Sequence, residues 1–232
     1  VHHYEVKLDS GEYQTQTSPY QLPVLEMGTH TISVRAYDAA GNFRTSNTIN
    51  LTIDVIQPDP FTPELNVTSP TINSTPTVTF STDDNLAISH YRVKIDNGAF
   101  ETRTSPYQVP PLSNGEHTIT VRAYDTAGNF RESSVSVVID RISPDPFTPT
   151  VQGGNPNNNA APLLYFATTD AFGIDHYEVK INNGSFTTQT SPYQLPTLSE
   201  TSYNQNPHTI TVRAYNVLGA TTDGVLNLRI DT

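Results

Sequence analysis

The chain has 232 residues and a mass of 25.5 kDa, long for one domain and sufficient for two or three. It contains no Cys, no Trp and one Met against 18 Pro and 12 Tyr, which excludes disulfides, thiolate metal sites and cysteine nucleophiles. With 23 acids against 12 bases and a formal net charge of -11, it lacks the clustered cations that phosphate binding requires, so no nucleic acid partner is expected. No apolar run is long enough to predict a membrane span, and no basic stretch precedes an apolar one as in a signal peptide.

In chain order, the first predicted element is a strand at His3-Tyr4-Glu5-Val6-Lys7, where apolar and polar residues alternate. Thr17-Ser18-Pro19-Tyr20-Gln21 follows, and then a second strand around Val34-Arg35-Ala36-Tyr37. All three blocks recur. The first returns at His90 and His176 and the second at Thr104 and Thr190, both with offsets of 87 and then 86 residues. The third returns at Val121 and Val212, so the last copy carries five extra residues within the polar stretch Ser199 to Pro207. A period near 87 is that of a complete small domain rather than a solenoid coil.

The joints also repeat. Pro58-Asp59-Pro60-Phe61-Thr62-Pro63 matches Pro144-Asp145-Pro146-Phe147-Thr148-Pro149, and three prolines in six positions favour an extended, semi-rigid path. Boundaries near residues 57 and 143 divide the chain into 1–57, 58–143 and 144–232. Phe61 and Phe147 are expected to pack rather than stay wet. The second copy has 32 residues ahead of its His-Tyr block and the first has two, so the first lacks two N-terminal strands. Upstream sequence or another chain is expected to supply them.

In the second copy the alternation predicts seven strands, near 64–69, 76–82, 89–96, 99–104, 106–109, 117–125 and 130–140. Asp96-Asn97-Gly98 and Asn182-Asn183-Gly184 predict tight hairpins with the Asn-Gly pair at positive φ, and Gly128 is the expected left-handed residue of Asp125 to Asn129. No helix longer than one turn is predicted. Seven short strands in fewer than 90 residues predict an all-β chain of three tandem Greek-key β-sandwich repeats.

The His-Tyr-x-Val-Lys strand, the Thr-Ser-Pro-Tyr block and His117-Thr-Ile-Thr-Val-Arg-Ala-Tyr-Asp-Thr-Ala-Gly-Asn129 together resemble the bacterial Ig-like repeats of large surface and secreted proteins. Those repeats are themselves similar in outline to fibronectin type III and cadherin-like modules. The third copy departs at Asn216-Val217-Leu218-Gly219-Ala220. The resemblance implies Ig-like sandwiches, an extracellular or cell-surface location and no enzymatic reaction. It implies a structural segment of a stalk, adhesin or filament, with neighbouring like modules in the same chain or a fibre as partners. Alternatives are a carbohydrate- or protein-binding array, for which Phe172 and Tyr203 offer exposed rings, and accessory modules of a secreted hydrolase.

Among chemistry-bearing residues, six of seven histidines are two positions written three times, His3/His90/His176 and His30/His117/His208. None has metalloprotease spacing, and packing or capping roles are expected. The only lysines, Lys7, Lys94 and Lys180, share one outward-facing position. The acids Asp83 and Asp84 precede the second His-Tyr strand. In an Ig-like sandwich their loop shares an end with the Asp125–Asn129 hairpin and the incoming linker at Asp59. Asp59, Asp83, Asp84, Asp125 and Asn129 are therefore a candidate calcium site at the first joint, since calcium takes six to eight oxygen ligands. At the second joint Asp170 remains, while Asp84 and Asn85 align with Ala171 and Phe172.

Overall fold

A computed structural model describes residues 1–201 and 205–232, which form nineteen strands and, among the described residues, no helix. In the first copy β1 (His3–Leu8), β2 (Gln14–Gln16), β3 (Gly28–Tyr37) and β4 (Phe43–Thr45) lie in the order β2-β1-β3-β4, and β5 (Ile49–Ile53) also pairs with β3. In the second, β6 (Glu64–Leu65), β7 (Thr77–Thr79) and β10 (Tyr107–Gln108) form the sheet β10-β7-β6. Its other sheet, β12-β11-β8-β9, comprises β8 (Ile88–Ile95), β9 (Glu101–Arg103), β11 (Gly115–Asp125) and β12 (Phe130–Ile139). The third copy repeats this plan. There β13 (Thr150–Val151), β14 (Leu163–Tyr165) and β17 (Tyr193–Gln194) form one sheet. β15 (Ile174–Ile181), β16 (Thr187–Gln189), β18 (His208–Asn216) and β19 (Thr221–Leu228) form the other, in the order β16-β15-β18-β19. All seven strands expected in the second copy are present.

The described residues cluster into two compact units, one of residues 1–64, 78–107 and 118–135, the other of 65–77, 108–117 and 136–232. The division passes through the second sequence copy.

Within the second unit the third copy is a sandwich. Leu164 and Phe166 from one sheet bury against Val179, Ile210, Val212 and Leu228 from the other, with Leu195, Leu198 and Ile230 closing the cluster. Each such residue is one of an alternating set, because successive strand side chains point to opposite faces. A parallel bridge, Asn157 to Ile230, ties the start of the copy to the chain just after β19, as Thr71 to Ile139 ties the second copy to the end of β12.

Among the described residues the first copy has one sheet and no second layer. Ile32 keeps 9% of its surface, whereas its counterparts Ile119 and Ile210 keep 0%. Tyr4 is 37% exposed. Its counterparts are fixed by their hydroxyls: Tyr91 Oη accepts from Thr82 N at 3.1 Å and Tyr177 Oη from Thr168 N at 3.0 Å. Those threonines follow β7 and β14, the strands the first copy lacks.

The hairpin chemistry differs from expectation. Positive φ falls on Asp96 and Asn182, one residue before the Asn-Gly pairs assigned to the turns, and on Asp9 at the same place in the first copy. Each extends the ladder by a side-chain bond, to Thr31 N at 2.7 Å, Thr118 N at 2.8 Å and Thr209 N at 2.9 Å. Gly98 is needed for space rather than for φ, since a Cβ there would lie 3.0 Å from the Ile95 carbonyl oxygen. Gly128 does adopt positive φ.

The repeated side chains pack as repeats. His3, His90 and His176 stack on Tyr37, Tyr124 and Tyr215, with centroids 4.6, 4.7 and 4.4 Å apart. On the outer face Lys94 and Arg122 share the Phe100 ring, and Lys180 and Arg213 share Phe186. Tyr13 takes that place between Lys7 and Arg35.

The proline-rich segments are stitched to the strands that follow them. Asp59 N donates to Asp83 O and Asp145 N to Thr169 O, both at 2.9 Å. Thr82 Oγ1 donates to Asp59 O at 2.7 Å and Thr168 Oγ1 to Asp145 O at 2.5 Å. Pro58 O accepts from Arg131 Nε, and Pro144 O accepts from Thr222 Oγ1 at 2.5 Å. Phe61 is half-buried, and Phe147 packs on the third copy's core and edge-on to Tyr177 at 6.3 Å.

Two outcomes follow from these contacts. Leu164→Ala is expected to cost about 2–5 kcal/mol, whereas Val6→Ala, half-buried on the open sheet, should cost about 1 kcal/mol or less; urea unfolding measures both. His30 Nδ1 lies 2.8 Å from Asp9 Oδ2, and the Asp9 bond is the main cause raising the imidazole pKa above its ordinary value. The His30 bond in turn is the main cause holding Asp9 below the usual carboxylate range. His30's contribution is present below its unfolded pKa and lost as pH rises through its folded value. Asp9's is present above its unfolded pKa and lost as pH falls through its folded one. The NMR titration midpoint of His30 should drop toward about 6.5 in Asp9→Asn; an unchanged midpoint counts against the pairing.

Candidate metal centre

Three carboxylates from distant parts of the sequence meet within the first unit. Asp54 follows β5, Asp84 lies in the loop between β7 and β8, and Asp125 ends β11. One oxygen from each lies within 4.8 Å of the others. Local folding brings each there. Asp54 Oδ1 accepts from Ile56 N at 3.1 Å, and Asp84 Oδ2 accepts from Leu86 N at 2.9 Å. The register shifts between Tyr124 and Asp125, and Asp125 Oδ1 then accepts from Gly128 N and Asn129 N at 2.6 and 2.9 Å.

Two amides bind the cluster from its rim. Asn85 Nδ2 donates to Asp54 Oδ1 at 3.2 Å. Asn129 Nδ2 donates to Asp125 Oδ2 at 2.8 Å and to Asp54 O at 3.2 Å. Asp125 is 2% exposed. Asp54 Oδ2 and Asp84 Oδ1 are buried and have no hydrogen-bond partner.

That arrangement is costly without a counter-charge. Two unit charges at this separation repel by roughly 3 kcal/mol in an effective dielectric of about 20, and there are three such pairs. A buried carboxylate oxygen without a donor adds a desolvation penalty. Both costs vanish if a hard cation occupies the focus. The three carboxylates offer only oxygen, which suits calcium, with water to complete six to eight ligands.

The sequence-predicted residues separate into two groups. Asp84, Asp125 and Asn129 come together as expected of a cation site. Asp59 and Asp83 are exposed, joined to each other through the main chain, and belong to the proline strap rather than to the carboxylate group. Asp54 takes the remaining place. Its signal was present in the sequence, where Ile53-Asp54, Ile139-Asp140 and Ile230-Asp231 end the last strand of each copy. Of the aromatic pair considered for ligand binding, Phe172 is 41% exposed and Tyr203 lies outside the described residues.

Residues 62–141 match the family described as bacterial Ig-like domain. This stretch is similar to a bacterial Ig-like domain. It contains Asp84, Asp125 and Asn129, whereas Asp54 comes from the chain preceding the Ig-like match. Comparison with curated proteins returns no match. Among solved structures, the chain is similar to one from work on host cell surface retention of a 1.5-MDa bacterial ice-binding adhesin. There identity is 18%, coverage 99% of this chain and 86% of that one, and the TM-score 0.48. Fibronectin(III)-like modules of Clostridium thermocellum CbhA give 14% identity, 72% and 94% coverage and a TM-score of 0.35. A tetra-tandem repeat in the extending region of a large adhesion protein gives 19%, 97% and 66%, and 0.35.

Calcium should raise the melting temperature of chelator-treated protein, because a ligand bound only by the native state stabilises it. Asp54→Asn should abolish that shift. A melting temperature indifferent to calcium and excess EDTA counts against a cation here.

Proposed function

We propose that the chain is a structural segment of an extracellular stalk, adhesin or filament, built of Ig-like modules over about residues 1–57, 58–143 and 144–232. Its partners are neighbouring like modules, and its work is mechanical. Antiparallel ladders loaded in shear resist extension, and the joints limit bending. The observation that carries this reading is the duplicated strap. Pro58 to Thr62 and Pro144 to Thr148 make the same main-chain and threonine bonds to the strands that follow them. A linker fixed by hydrogen bonds and by proline's restricted φ suits a segment that must hold its course under load. Calcium held by Asp54, Asp84 and Asp125 adds a second restraint, because it joins the end of β5 to two loops of the following copy.

Single-molecule extension of the 232-residue chain tests the proposal. Discrete unfolding events are expected, with contour increments of roughly 250–300 Å for a module of about 86 residues at about 3.5 Å per residue. Smooth extension without such events overturns it.

A further inference from the structure

We propose that Asn216, which stands where the first cluster has Asp125, keeps the second copy of the carboxylate cluster from holding a cation. One junction of the chain is then calcium-dependent and the other is not. The inference rests on the calcium reading of Asp54, Asp84 and Asp125.

Hydrogen bonding identifies the equivalent positions. Thr168 is the counterpart of Thr82, which makes Asp170 the counterpart of Asp84 and corrects the one-residue shift in the sequence alignment. Asp170 Oδ1 accepts from Phe172 N at 3.1 Å, as Asp84 accepts from Leu86 N. Asp140 follows β12 as Asp54 follows β5, and its Oδ1 accepts from Ile142 N at 3.0 Å. Asp140 is 3% exposed, and its Oδ2 is buried without a partner, like Asp54 Oδ2. Asn216 holds the hairpin position of Asp125. Its Oδ1 accepts from Leu218 N and Ala220 N at 3.1 and 2.9 Å.

The remaining atom differs. In the first cluster it is a carboxylate oxygen. In the second it is the Asn216 NH2 group, which donates to Ile142 O at 3.1 Å and to Asp170 Oδ2 at 3.2 Å. One amide therefore joins the hairpin to the chain after β12 and to the loop before β15, the same three elements that a cation would join in the first cluster. At the rim, Ala171 and Ala220 stand in place of Asn85 and Asn129, so the amides that steady the first cluster's carboxylates have no counterpart in the second. Asn216 brings an N–H donor to the place of the Asp125 carboxylate oxygen, and its positive end repels a cation. The third copy keeps Asp170 and supplies it with a hydrogen-bond donor of its own.

Calorimetric titration of calcium into the chelator-treated 232-residue chain decides the matter, with circular dichroism confirming that each variant is folded. Wild type should bind one ion, Asp125→Asn none, and Asn216→Asp two; Asn216→Asp with Ala220→Asn should bind the second ion more tightly. One ion on wild type and still one on both Asn216→Asp proteins overturns the role of Asn216 alone. Two ions on wild type overturn it without any variant. No ion on wild type overturns the calcium reading itself. Should Asn216→Asp not fold, Asn216→Ala is read instead. It should lower the melting temperature by the same amount with and without calcium, and rescue by calcium overturns the proposal.

Discussion

The pairing of the His-Tyr-x-Val-Lys strand with the Val-Arg-Ala-Tyr strand is the constraint on which the remaining contacts depend. In all three copies the register is the same: Val6 faces Val34, Val93 faces Val121, and Val179 faces Val212. That register puts tyrosine, valine and isoleucine or leucine on one face, and histidine, lysine and arginine elsewhere on the pair. A slip by one residue would exchange the faces, burying Lys180 and Arg213 and exposing Val179 and Val212. The aromatic clamp on the outer face and the His-Tyr stack at the strand end both hold the pair against such a slip. Asp125 reaches its cluster only because this ladder delivers it to the hairpin and then breaks register by one residue.

The fold was legible because its signals are local and written three times. Alternation marked the strands, and the repeat period marked the copies. The errors lie where geometry overrides residue preference. Asn97-Gly98 reads as a positive-φ pair, yet the ladder continues through Asp96, whose carboxylate bonds to Thr118 N and makes the left-handed conformation affordable there. The glycine is then required by the nearness of the Ile95 carbonyl instead.

The candidate site was half legible for a similar reason. Asp84 and Asp125 are visible as loop acids at one end of a sandwich, but Asp54 is marked only by an Ile-Asp pair that recurs near the end of each copy. The Ile56 N–H and the Asn85 amide hold its carboxylate beside the other two. Asp59 sits in the conspicuous Pro-Asp-Pro-Phe-Thr-Pro motif, which makes it the more visible of the two in the sequence. The prolines around Asp59 fix its main chain to Asp83, which leaves that motif a strap and not a ligand. Charge crowding, rather than motif, separates the two positions. Asp54 Oδ2 and Asp84 Oδ1 are buried without donors, and no such oxygen is found on Asp59 or Asp83 among the described residues.

The straps have a consequence for how such a chain can grow. Because Pro58 and Pro144 bond forward to Arg131 and Thr222, each proline segment belongs with the residues after it. A duplication whose breakpoints fall just ahead of such a proline copies a module together with its own connector. The array can then be lengthened or shortened by recombination without inventing a new linker. A breakpoint after Phe61 or Phe147 would instead strand the connector on the wrong partner, and a gene built this way should carry its crossovers upstream of the prolines.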